Sequence, residues 1–270
     1  MNGSSTLEVH QDLRRTGDAR RIEFVESYSW TIYSQALGTP LDQRMVDNRI
    51  HIHSISLGLS QAYLVEVGDR LVLVDAGMPH QQNRILKRIQ DLGNRRLDLI
   101  FITHAHIDHY GSAAALRRAT KASIVIHESD AIPMARGETQ LGLARRQGKL
   151  MLFLLSLLER IIKPEPTEAD ATLKDRDDLG EYSFDAEVLH TPGHTFGSSC
   201  LVVNGEIGFV GDLLSTNGKP HLQRFFAQDW SLLRDSIHKI NRLPLRQIYP
   251  GHGARTLSGK ELKRLVAEER

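Results

Sequence analysis

The sequence predicts an α/β protein of two similarly laid-out halves with a helical insert between them, and three observations carry that reading. From about His51, β-branched runs alternate with amphipathic stretches. The same alternation resumes at about Phe184. The segment between, roughly residues 131–178, is longer than a connecting loop and is centred on an apolar run.

In the first half, Leu71-Val72-Leu73-Val74-Asp75 is a strand that ends at Gly77. Pro79 is expected to open a helix whose Ile85, Leu86, Ile89 and Leu92 share one face, with Gly93 as its stop. Leu97 to Ile102 predicts a strand, Gly111 to Thr120 a short helix and Ala122 to Ile126 another strand, a βαβαβ order. In the second half, Phe184 to His190 and Ser199 to Val203 are strands, and Asn204-Gly205 signals a hairpin turn into Glu206 to Val210. Asp229 caps a helix carrying Trp230, Leu233, Ile237 and Ile240; Gln247 to Tyr249 is a strand; Ser258 with Glu261 forms a capping box for the last helix. The insert carries Leu150 to Ile162, ten apolar residues in thirteen. Its two readings are a helix packed on the body or on a second subunit, as in a homodimer, and a lid over a pocket, returned by the stiff Pro164-Glu165-Pro166.

Composition narrows the classes of function. The 34 Lys and Arg balance 33 Asp and Glu in 270 residues, so a nucleic acid is not the expected partner and a small molecule is. No stretch reaches the roughly 20 apolar residues of a membrane span. The first 22 residues lack an apolar core and read as a flexible tail before one domain over 23–270; with Cys200 as the single cysteine, a cytoplasmic location is expected.

Thr103-His104-Ala105-His106-Ile107-Asp108-His109 places three imidazoles and a carboxylate directly after a predicted strand. Composition alone makes His-x-His-x-Asp-His a rare accident, on the order of 0.002 occurrences in a chain this long. Alternate residues leaving a strand point the same way, so His104 and His106 can converge on one ion while Asp108 and His109 face another. Further donors stand beside glycines at later strand ends: His194 in Thr-Pro-Gly-His-Thr, Asp212 in Gly-Asp and His252 in Gly-His-Gly. Seven candidates suffice for two ions about 3.5 to 4 Å apart if one carboxylate bridges them.

This ordered set of motifs resembles the metallo-β-lactamase superfamily of binuclear metallohydrolases, from about His51 to the end of the chain. The resemblance implies a four-layer αββα sandwich with the metals at one edge, between the halves. It implies that His104, His106 and His194 hold the first metal, that Asp108, His109 and His252 hold the second, and that Asp212 bridges them. Asp75, in Val-Asp-Ala-Gly, matches a strand-end aspartate that orients a ligand imidazole from behind. Two zinc ions are the expected cofactor, with iron or manganese as alternatives.

The chemistry expected of such a centre is hydrolysis by a metal-bridging hydroxide, with Asp108 as the catalytic residue that relays a proton to the leaving group. Departures from better-defined branches narrow the substrate. Asp212 stands where the commonest β-lactamase branch has cysteine, Ser215 replaces a tyrosine common in acyl-homoserine lactonases, and only 18 residues follow His252, too few for a glutathione-binding domain. The arm and extra histidines of ribonuclease Z enzymes are not identifiable. An ester, thioester or lactone with an apolar part is therefore expected, because the leucine-rich insert suits an apolar pocket. The alternatives are a phosphodiesterase or ribonuclease of the same fold, a mononuclear-iron redox relative, and a non-catalytic binding module. His127 and Glu128 are expected as a surface loop pair, Cys200 as a buried apolar residue, and His51 and His53 as structural; His190 and His221 are left without a role.

Overall fold

The computed structural model describes residues 50–145 and 148–268, so the predicted tail lies outside the described residues. Six strands form the first sheet: β1 (Ile52–Ser56), β2 (Gln61–Val67), β3 (Arg70–Val74), β4 (Arg96–Ile102), β5 (Ser123–His127) and β7 (Ala171–Leu173), side by side in that order. The first three are antiparallel neighbours, whereas β3, β4, β5 and β7 run parallel. The second sheet orders β15 (Leu257–Ser258), β14 (Gln247–Tyr249), β10 (Ile207–Phe209), β9 (Ser199–Val203) and β8 (Ala186–His190).

Strand alternation explains the layering. In β3, Leu71 and Leu73 face one apolar cluster and Val72 and Val74 face another, as the period of two requires. The outer cluster packs the first sheet against α1 (Gln82–Asp91), α2 (Ile107–Tyr110), α3 (Ala113–Thr120) and α4 (Glu128–Arg136) through Ile85, Ile89, Tyr110, Leu116 and Met134. The middle cluster lies between the sheets, where Leu99, Phe101 and Val125 meet Val188, Leu201 and Phe209. A third cluster packs the second sheet against α6 (Trp230–Asn241) and α7 (Gly259–Glu268) through Ile237, Ile240, Leu262 and Val266. Three apolar seams mean four layers, so the αββα sandwich holds.

The caps form as their chemistry requires. Asp229 accepts hydrogen bonds from the Ser231 and Leu232 amides, and Ser258 and Glu261 cap each other reciprocally. Pro79 does not open α1: His80 adopts a left-handed conformation, φ 67°, and breaks the run, so the helix starts after Gln81. The stretch 131–178 is not wholly helical. Helix α4 already begins at Glu128, and β7 joins the first sheet, while the apolar run forms α5 (Lys149–Ile161). A two-strand ribbon, β6 (Leu143–Ala144) on β13 (Phe226–Ala227), ties this segment to the second half.

Candidate metal centre

All the predicted site residues stand one to seven positions past strand carboxyl ends: Asp75 after β3, His104 to His109 after β4, His194 after β8, Asp212 after β10 and His252 after β14. Open α/β sheets place their sites there because the loops of neighbouring strands converge. Tyr63 of the first sheet reaches across the middle seam and donates its hydroxyl to the Pro250 carbonyl at 2.6 Å, anchoring the turn that carries His252.

The seven candidate ligands come together in three overlapping groups whose ligand atoms lie within 4.8 Å of one another: His104, His106 and His194; Asp108, His109 and His252; and His104, His109 and Asp212. Each imidazole has one nitrogen engaged away from the centre. His104 Nδ1 donates to the Thr103 hydroxyl at 3.0 Å, which in turn donates to Asp75. His109 Nδ1 donates to Asp75 Oδ2 at 2.8 Å and His252 Nδ1 to the Leu59 carbonyl at 2.6 Å. His106 Nε2 faces the Gln140 carbonyl and His194 Nδ1 the Phe226 carbonyl, both at 3.3 Å. These partners hold the rings so that the opposite nitrogens point inward; His194 Nδ1 also lies 3.2 Å from Gln223 Nε2.

Those inward nitrogens crowd one another. His106 Nδ1 is 3.1 Å from His104 Nε2 and 3.0 Å from His194 Nε2. Two nitrogens on a tetrahedral zinc stand about 3.3 Å apart, so the spacing suits a shared cation. Asp212 Oδ2 lies 3.2 Å from His194 Nε2 and 3.1 Å from His252 Nε2, between the two groups. His109 Nε2 and Asp212 Oδ1 are buried with no hydrogen-bond partner, 3.3 Å apart. A Cβ at Gly251 would sit 2.5 Å from Asp212 Oδ1 and 2.8 Å from the His109 ring, so glycine is what lets that strand end close over the centre. Buried polar atoms without partners, crowded ring nitrogens and a cradle this tight fit a pair of cations.

Electrostatics divides the ligands. Burial, and then the neighbouring imidazoles, lower His104 well below its ordinary value and His106 to about 3, so both stay neutral. Burial works against charge at His109 and His252 too, but carboxylates outweigh it: Asp75, Asp108 and Asp212 hold His109 well above its ordinary value, and Asp212 and Asp108 raise His252 to about 9. Burial likewise opposes ionised Asp212, which His252 and His109 nevertheless hold well below the usual carboxylate range. Asp75 sits in the left-handed region at φ 61°, a conformation that asparagine and aspartate tolerate best among residues with side chains.

Above the centre lies a cavity of about 350 Å³. His106, Asp108, Asp212 and His252 contribute to its lining, and Leu59, Ile107, Leu141, Leu155, Leu214, Phe225 and Phe226 supply apolar walls. Leu155 comes from α5, whereas Leu150, Phe153, Leu154, Leu157 and Ile161 of the same helix are exposed. His221 also lines the cavity, along with Arg224. His127 is not a surface residue: it is 3% exposed and stacks on His190 with ring centroids 3.8 Å apart. Its position on the last residue of a strand whose flanks are covered accounts for the burial. Cys200 is fully buried, and His53 is held between Glu66 and Arg88. Sequence reasoning missed Asp130, a buried carboxylate just past β5 that contacts two of the ligand loops. The signal available was its strand-end position, the same one the other motifs occupy.

Comparison with known proteins agrees with this geometry. A probable metallo-hydrolase of Methanocaldococcus jannaschii is 24% identical over 198 residues, covering 72% of this chain and 87% of its own. The hydroxyacylglutathione hydrolase GloC of Haemophilus influenzae is 29% identical over 199 residues, covering 70% and 82%. Among solved structures, TTHA1623 in a di-iron-bound form superposes with a TM-score of 0.59 at 24% identity, over 80% of this chain and 98% of its own, a likeness of fold. The family profile described as the metallo-beta-lactamase superfamily matches residues 55–252, from the first sheet through the last candidate ligand, and the chain therefore belongs to that superfamily as a metal-dependent hydrolase.

Proposed function

We propose that this hydrolase cleaves a carboxylic ester, thioester or lactone with an apolar acyl part at a centre of two divalent ions, zinc in the first instance. The observation that carries the reading is the inward convergence of five imidazole nitrogens, each ring pinned from behind, on the carboxylates of Asp212 and Asp108. His104, His106 and His194 would hold one ion and Asp108, His109 and His252 the other, with Asp212 between them. A bound pair of ions supplies Lewis acidity and a water activated near neutral pH.

The rest is the work of the chain. Leu59, Ile107, Leu155, Leu214 and Phe226 exclude water and seat an apolar group beside the centre. Asp108, on the cavity lining and 3.6 Å from His252 Nε2, is placed to carry a proton to the departing alcohol or thiol. Asp75 holds His109 directly and His104 through Thr103, so one carboxylate steadies a ring in each group. Among the described residues Arg224 is the single Lys or Arg on the lining, a sparse provision for a phosphodiester and sufficient for a neutral acyl substrate. The relationship to a hydroxyacylglutathione hydrolase, which by its name acts on a thioester, supports the acyl class.

The test is a panel of acyl esters, thioesters and lactones run against phosphodiesters on protein whose metal content has been measured. Turnover of the acyl panel at about two zinc per chain is expected. Turnover of phosphodiesters alone, or one iron per chain with no hydrolysis, overturns the reading.

A further inference from the structure

Asp130 lies in the first turn of α4 and is 3% exposed, yet among the described residues it makes no ion pair with Lys or Arg. Its carboxylate is instead saturated by three short hydrogen bonds. Oδ2 accepts from the Ala105 amide at 2.7 Å and from the Thr195 hydroxyl at 2.8 Å; Oδ1 accepts from the Gly197 amide at 2.7 Å. Ala105 stands between His104 and His106, and Thr195 and Gly197 follow His194 by one and three residues. Three segments far apart in sequence thus meet on one side chain, and two of them carry the three histidines of one ligand group. A Cβ at Gly197 would lie 2.5 Å from Asp130 atoms, so the loop approaches this closely because it has no side chain there. One further strap, from the Ser199 amide to the Thr103 carbonyl at 2.9 Å, joins the same two loops. Burying an unpaired carboxylate is costly, and donors aimed at it are the means of holding it there.

We propose that Asp130 is the positioning residue of the His104, His106 and His194 half of the centre, holding the backbone between the first two rings against the backbone after the third. It acts through these loops and touches no ligand atom. The proposal rests on the ligand assignment above. It complements Asp75, which bonds His109 of the other group directly and reaches this half only at His104, through Thr103. The three-histidine half then has a buried carboxylate of its own besides the shared one. Asparagine at 130 keeps the shape but offers one acceptor oxygen for three donors and turns an amide NH₂ towards at least one of them.

The experiment is competitive chelator titration of the zinc-loaded full chain, resolving two binding constants, with cobalt(II) absorption spectra reporting the ligand set of each. Asp130→Asn is expected to weaken the three-histidine site by about 10- to 100-fold, the range seen when an orienting partner of a metal ligand is lost, and to alter its cobalt spectrum while the other site keeps its constant. Asp75→Asn should weight its loss towards the other site. Thr195→Val removes one of the three donors and should weaken the same site as Asp130→Asn by a smaller factor. Asp170→Asn is the control: its carboxylate accepts from the Ile124 amide at the opposite end of β5, and both constants should remain. Unchanged constants in Asp130→Asn, or equal weakening of both sites alongside a fall in Tm, overturn the proposal. If Asp130→Asn does not fold, an unchanged constant in Thr195→Val overturns it. A wild-type chain that binds fewer than two ions overturns the binuclear reading first, and this assignment with it.

Discussion

The floor and the roof of the cavity are built differently. His104, His106, His109 and His194 are 0–3% exposed, and each ring is tied through its outer nitrogen to a named acceptor. Helix α5, which reaches the same cavity through Leu155, leaves Leu150 and Ile161 at 70% and 82% exposure. The segment before it meets the second half through the short ribbon of β6 on β13 and bonds from Gln228 and Trp230 to the Gln140 and Leu143 carbonyls. Floor residues are over-determined by hydrogen bonds, as donors that must converge within a few tenths of an ångström require. The described side chains of the roof helix leave much apolar surface exposed. The candidate ligands are thus set by the sheets, and the cavity above them is closed in part by a peripheral element.

Substitutions can break or sharpen that contrast. His106→Ala or Asp212→Ala should have the largest effect, removing most of the bound metal and lowering turnover by more than the roughly 100-fold that loss of an orienting partner costs. Metal analysis alongside steady-state kinetics checks this; a metal-replete, fully active His106→Ala protein would falsify the ligand assignment. Asp75→Asn should come next, with a loss of metal affinity of about 10- to 100-fold, read by chelator competition. Leu155→Ala on the roof should leave metal content intact and cost about tenfold in kcat/KM for apolar acyl substrates, mainly through KM, as removal of methylenes from an apolar pocket does. Equal losses for apolar and small acyl groups would show that Leu155 plays no part in selection. Leu154→Gln, on the exposed face of the same helix, should change turnover less than twofold and stability by under about 0.5 kcal/mol, measured by denaturant unfolding.

The smallest signal tests the frame beneath both regions. Burial pushes the Cys200 thiol up to about 12, and Cys200 lies on β9 within the second sheet. A thiol reagent at neutral pH should therefore label the chain at the rate of global unfolding. Labelling that speeds up in Leu155→Ala without a fall in Tm would mean that loosening the roof also opens the sheet.

The same division governs what the sequence makes legible. A strand such as Ser199–Val203 can be read directly, because a fully buried run that ends at Asn204-Gly205 has few alternatives. The seven ligand candidates are recognisable because histidine and aspartate at strand ends carry their chemistry in their identity. Pairing between two-residue strands is not legible: β6 and β13 are 82 residues apart at the paired Ala144 and Phe226, and no local pattern announces them. His127 and Asp130 were hidden for a related reason. Their burial depends on what packs over the end of β5, namely His190 and the loop after His194, and neither contact has a local signature.

The neck of the insert has one more consequence. A Cβ on Gly137 would lie 2.9 Å from the Pro164 carbonyl, so the chain leaves the body and returns to it at nearly the same point, and Arg118 clasps Glu165 just beyond. A segment with so narrow a base behaves as a cassette. An engineer can transplant it without redrawing any long strand. A graft must still bring a carbonyl to the place of Gln140, against which the His106 ring is aligned, and a short strand to pair with β13.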